Sequence, residues 1–184
     1  MPSNPIWINQ IHSSICVDAS RVKSIVEADA IFTSDSKTVC GILTADCLPV
    51  FVSNNEGSMV GIAHAGWRGL LSGVIENLIE SFDTHGDNLI VKLGPAISMS
   101  SFEVGEEVRA LFLSKDDNFA RSFYCPKKKY FLDLYDAARV VLERLNISSI
   151  YGEERCTYKE SNDFFSNRRD GINSGRMAHL IWMR

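Results

Sequence analysis

A chain of 184 residues with 45% hydrophobic and 23% charged side chains has the make-up of one globular domain, able to bury roughly 70% of its unfolded surface. A formal net charge of −4 excludes the long basic footprint that nucleic acid or an anionic membrane demands, and the basic clusters at 127–129 and 168–169 are too local to change that. The first ten residues lack a basic and then apolar leader, and no apolar run reaches the 18 or so residues of a membrane span, so a cytoplasmic location is expected.

Short apolar stretches at 28–34, 38–44, 48–53 and 58–65, each bounded by turn residues, read as buried strands. From Gly69 the period changes. Leu70, Leu71, Val74, Ile75, Leu78, Ile79 and Phe82 recur at helical spacing and predict one amphipathic helix over 69–83. Residues 89–94 return to strand, so strand, helix and strand follow in the order of a βαβ unit. A second helix is expected over 103–113. A third covers 133–145, with Asp133 as its N-cap and Asn146 near its C-terminus. The end, 175–183, is again a strand. Without repeats, low-complexity tracts or a composition break, the fold class is α/β (mixed): a single layered domain over residues 1–184, a mixed sheet with flanking helices.

Five cysteines, an odd number without a C-x-x-C pair, suit a reducing compartment better than a disulfide framework. Each is judged by its surroundings. Cys47 lies between apolar runs, where a free cysteine is commonly a small buried hydrophobe, but the neighbouring Asp46 requires a partner or water. His64 stands at the mouth of a strand, directly before Gly66, an indole, a guanidinium and Gly69. His12 sits in a third loop. The separations of 35 and 17 residues match no zinc-finger spacing, so spacing alone does not make this trio a metal site.

Taken together, "QIH" (10–12), "ADAIFT" (28–33), "LTADCLPV" (43–50), "AHAGWRG" (63–69), "LGPAI" (93–97), "FEVGEEV" (102–108), "FFSNRRDG" (164–171) and "SGRMA" (174–178) resemble the YfiH/laccase-domain family. Its members are called polyphenol oxidase, peptidoglycan-editing factor or purine nucleoside phosphorylase. The resemblance implies a YfiH-like fold and a metal held by His12, Cys47 and His64. Such a His₂Cys set leaves a fourth position of tetrahedral zinc open, the arrangement of a catalytic site, while copper is the less favoured ion. It also implies zinc-dependent phosphorolysis of adenosine, inosine or methylthioadenosine, with adenosine deamination as a second activity. The partners are then a purine nucleoside and phosphate, with no nucleic acid or membrane, and the oligomeric state stays open.

Several roles follow as inferences from that resemblance. Asp46 is the candidate proton carrier. Gly66 is expected to allow a tight turn with positive φ. Arg68 and the helix start would hold an anion, and Arg168 and Arg176 would assist. Trp67 either stacks on a base or anchors the core, and both readings stand. Relatives usually carry an additional N-terminal segment before the Q-x-H motif, where this chain has nine residues, and the 98–101 loop has serines where relatives often have glycine, proline and cysteines. Other classes remain: a cysteine hydrolase or cell-wall precursor editing enzyme with Cys47 as nucleophile and His64 as base, a copper-dependent oxidase for which four histidines are few, and a non-catalytic binding module.

Overall fold

The computed structural model describes residues 1–152 and 154–184. Alternation along the central strands decides the architecture. In β3 (Ala30–Thr33), β5 (Leu48–Asn54) and β6 (Val60–Ala65) one set of side chains, among them Ala30, Leu48, Val50, Ala63 and Ala65, faces a large helical core. The other set, Ile31 and Ile62, faces a smaller cluster with Ile8, Cys40 and Ile42. A strand covered on both faces must be apolar throughout, which is why these stretches read as unbroken hydrophobic runs. β6 is buried at all of its positions.

Before them come β1 (Pro5–Trp7) and β2 (Cys16–Asp18), and β4 (Val39–Thr44) lies between β3 and β5. After β6 follow α1 (Trp67–Ser72), α2 (Val74–Glu80), β7 (Leu89–Leu93), β8 (Glu103–Val104), α3 (Glu106–Lys115), β9 (Phe123–Tyr124) and β10 (Tyr130–Leu132). The chain continues with α4 (Leu134–Arg144), β11 (Ser149–Tyr151), α5 (Asn167–Asp170) and β12 (Met177–Ile181). A six-stranded mixed sheet has the order β11-β7-β5-β6-β3-β2. A three-stranded sheet, β1-β4-β12, packs on one of its faces, helices cover the other, and β8-β10-β9 forms a small ribbon.

The expected βαβ unit is present in split form. β6 and β7 lie in the same sheet with β5 inserted antiparallel between them, so the α1–α2 crossover spans one intervening strand. The single helix expected over 69–83 is two, because Gly73 adopts φ 95° and closes α1 with bonds to the Gly69 and Leu70 carbonyls. Both pieces still bury the predicted face, through Leu70, Val74, Ile75 and Leu78. The helix expected from 103 begins at Glu106, since 103–104 are taken up as an edge strand. α4 starts where the sequence places it: the Asp133 carboxylate accepts from the Tyr135 and Asp136 amides. Asn146 follows at φ 56°, the left-handed geometry that ends helices.

Gly73→Ala should destabilise the fold by about 1–2 kcal/mol, the cost of left-handed backbone for a residue with a Cβ. The urea midpoint reads this directly, with an unchanged slope. An unshifted midpoint would mean that the break between α1 and α2 is not fixed by this residue.

Candidate metal centre

Strand pairing brings the site together. β5 and β6 run antiparallel with Leu48 opposite Ala65 and Pro49 opposite His64, so Cys47, one residue before β5, arrives beside Gly66, one residue after β6. β3 pairs on the other side of β6, and the His64 amide donates to the Asp29 carbonyl at 2.7 Å. The loop carrying His12 is drawn over this end by two clamps. Gln10 donates through Nε2 to the Leu43 carbonyl at 2.7 Å and accepts from the Leu43 amide at 2.8 Å, and Asn9 bonds to Val26 and Ala28. The glutamine of the Q-x-H motif therefore ties the loop to β4.

The ligand atoms of His12, Cys47 and His64 lie within 4.8 Å of one another, and this is the one such convergence among the described residues. Cys47 Sγ is 3.9 Å from His12 Nε2, and the two imidazoles meet edge to face at 4.8 Å between centroids. Two imidazoles and a thiol fit a borderline-soft divalent ion. Gly66 keeps the space clear: a Cβ there would lie 2.9 Å from Cys47 Sγ and 3.1 Å from His12 Cδ2. Its φ is −70°, so the expected positive φ is replaced by a steric reason for glycine.

Asp29, to which no motif assigns a role, lies fully buried beneath these three side chains. Its Oδ1 accepts from His64 Nδ1 at 2.8 Å and from the His12 amide at 3.0 Å. Its Oδ2 accepts from the Ile11 amide at 3.2 Å and from the Ser13 amide and hydroxyl at 2.5 and 2.8 Å. Burial alone would push this carboxyl up, but His64 and the Ser13 donors outweigh it and hold it at about 2. The available signal was an acid inside the buried strand start "ADAIFT", where a carboxylate must be partnered.

The same contacts polarise the other groups. Burial opposes the charged form of His64, yet Asp29 and Cys47 raise it to about 9. Burial likewise pushes the Cys47 thiol up, and contact with His12 and His64 brings it down to about 7. Without metal, the pair is therefore poised as thiolate and imidazolium.

Beside this trio opens a cleft of about 130 Å³, lined by Asp46, Trp67, Arg68, Phe102 and Arg168 among others. Trp67 is half-buried, packs on the helical core and also faces the cleft, so both of its expected roles have a surface. Arg68 stacks on it, Cζ 4.3 Å from the ring centroid. Arg168 lies 5.1 Å over Phe102 and donates to the Glu103 carbonyl at 3.0 Å.

Asp46 has φ 93° and is nearly buried. Its carboxylate accepts from the Thr157 hydroxyl at 2.6 Å, the Ser166 hydroxyl at 3.0 Å and the Arg168 amide at 2.6 Å. Arg169, in the same arginine loop, pairs with Asp170 at 2.8 Å and staples the loop by donating to the Thr157, Tyr158 and Phe164 carbonyls. Arg176 is exposed, donates to the Ser174 and Gly175 carbonyls, and is not among the residues lining the cleft.

Residues 1–184 match the family model described as multi-copper polyphenol oxidoreductase laccase. The chain is 41% identical over 184 residues to the Escherichia coli (strain K12) protein named purine nucleoside phosphorylase YfiH, covering 100% of this chain and 75% of that one. It is 38% identical over 185 residues to the Haemophilus influenzae purine nucleoside phosphorylase, covering 99% and 75%. Among solved structures, Neisseria meningitidis NMB0706 superposes with a TM-score of 0.92 at 41% identity, covering 96% of this chain and 74% of that one. Geobacillus stearothermophilus YlmD superposes at 0.82 and 26% identity, covering 97% and 73%. Among the described residues, no helix is long and apolar enough to cross a membrane.

In chelator-treated protein, alkylation of Cys47 followed by peptide mass spectrometry should rise to a plateau with a midpoint near pH 7. The thiolate is the reactive form, and a lowered pKa places it on the alkaline side of that midpoint. An ordinary midpoint, near 8.5, would dismiss the ion pair with His64.

Proposed function

The chain belongs to the family described as multi-copper polyphenol oxidoreductase laccase, and from that premise we propose that it is a zinc-dependent purine nucleoside phosphorylase. One observation carries the reading: His12, Cys47 and His64 converge beside a cleft in which two guanidinium groups, those of Arg68 and Arg168, stack on aromatic rings without a carboxylate partner among the described residues. The acid lining the same cleft, Asp46, is already engaged by three donors. A cleft lined by two guanidinium groups beside a metal set suits an anionic co-substrate, and the names of the relatives supply the partner reaction.

In this reading phosphate is gripped by Arg68 and Arg168, whose forked donors match its oxygens. The faces of Trp67 and Phe102 offer apolar walls for the purine. A phosphate oxygen forms the new bond to the anomeric carbon as the bond to the base nitrogen breaks, giving the sugar 1-phosphate and the free base. Held by His12, Cys47 and His64, zinc would supply Lewis-acid stabilisation of negative charge at the cleft. Asp46 acts as a positioning residue: its two oxygens accept from Thr157, Ser166 and the Arg168 amide, which fixes Arg168 and the loop around it and commits the carboxylate to structure instead of the proton transfer that deamination requires. We assign no role in phosphate binding to Arg176, which bonds to its own loop.

The histidine arrangement favours this over a multicopper oxidase. Of four histidines, His179 bonds to Thr44 at 2.8 Å and is pushed down to about 4 by burial and by the charge of His64, and His85 is exposed before β7. That leaves two imidazoles to share one site.

Adenosine with phosphate should yield adenine and ribose 1-phosphate, and adenine release should cease when phosphate is omitted. Arg68→Ala should raise the KM for phosphate by about 10–100-fold, the worth of one charge-assisted contact, and move the nucleoside KM less. Phosphate-independent adenine release would make the enzyme a hydrolase. Inosine formed from adenosine alone would restore deamination and a proton-carrying role for Asp46.

A further inference from the structure

We infer that Asp29 is the positioning residue of the metal centre: one carboxylate fixes the ring orientation of His64 and the strained loop geometry of His12 together. The inference rests on the reading of His12, Cys47 and His64 as ligands.

His12 and His64 come from segments 52 residues apart in the chain and meet through a single oxygen, Asp29 Oδ1. Accepting from His64 Nδ1 keeps a proton on that nitrogen, so Nε2 is the atom that gives up its proton and offers its lone pair to an ion. His12 stands at φ 60°, a left-handed conformation that a non-glycine residue holds only when its surroundings over-determine it. Three consecutive amides, those of Ile11, His12 and Ser13, point at Asp29 and supply that determination. With the Ser13 hydroxyl and His64 Nδ1, five donors converge on two oxygens, which saturates a carboxylate that has about four lone-pair sites. A neutral amide cannot replace it: one of its two heteroatoms is itself a donor and would face either the Ser13 or the His64 donors.

The test compares zinc affinity of wild type and Asp29→Asn by competition with a chromogenic chelator. A weakening of about 10–100-fold is expected, as for other residues that orient histidine ligands. Ser13→Ala, which removes one donor to Oδ2 and leaves the His64 contact, should stay within a few-fold of wild type. Folded Asp29→Asn protein with wild-type affinity overturns the inference, as does Ser13→Ala weakened as strongly as Asp29→Asn, since the loss would then be general loosening.

Should Asp29→Asn fail to fold, long-range ¹H–¹⁵N spectra of wild type decide. A slowly exchanging proton on His64 Nδ1, in metal-free and zinc-loaded protein alike, is the expected result, and a zinc-ligated Nδ1 overturns the assignment. Wild type that takes up no zinc but keeps this Nδ1 proton would instead sink the metal reading and leave Asp29 as the anchor of the two histidines.

Discussion

The antiparallel register of β5 against β6, Pro49 opposite His64, is the constraint on which the site hangs. Side chains alternate along a strand, so a slip of one residue would carry His64 from the face of Ile62 to the face of Ala63 and Ala65, away from Cys47. The register is held because both faces are packed. Helices α1, α2 and α4 press on one side through Leu70, Val74, Leu78 and Val141, and the three-stranded sheet presses on the other through Cys40 and Ile42. Gly61 shows how close this packing is, since a Cβ there would lie 2.7 Å from a Leu78 methyl and 3.1 Å from Phe32 Cβ.

On that frame the protein accumulates charge where a core would ordinarily forbid it. A buried carboxylate, a buried imidazole and a half-buried thiol stand in a row, each acceptable because its neighbour carries the complementary charge or donor. Two non-glycine residues with left-handed backbone, His12 and Asp46, sit at this same end of the sheet. Backbone strain and paired charge in one place are what a fold tolerates when the place has chemistry to perform. Asp46 and Asp29 divide the work in our reading. Asp46 gathers the segments bearing Thr157, Ser166 and Arg168 around the cleft, and Asp29 gathers the ligands.

The central strands, α4 with its Asp133 cap and the trio His12, Cys47 and His64 were all legible in the sequence, the strands from apolar runs and the trio from motifs. What was not legible lacked a periodic signal. β1, β2 and β11 are three residues each with no fully buried position, too short for alternation to speak, and β8 and β9 are shorter still. The break at Gly73 was hidden because the apolar spacing continues across it. Asp29 was missed for a related reason: its importance lies in donors from residues 11–13 and 64, which only the pairing of β3 with β6 and the folding of the N-terminal loop bring together. Arg168, Arg169 and Arg176 look equivalent as letters, and tertiary contacts alone separate the one at the cleft from the staple and the loop residue.

X-ray absorption at the zinc edge of protein purified without added metal tests the central claim most directly, because it reports the donor atoms themselves. One sulfur at about 2.3 Å and two imidazole nitrogens at about 2.0–2.1 Å, with the sulfur lost in Cys47→Ser, is the result this account predicts. A zinc shell with no sulfur, or one whose sulfur persists without Cys47, would contradict it.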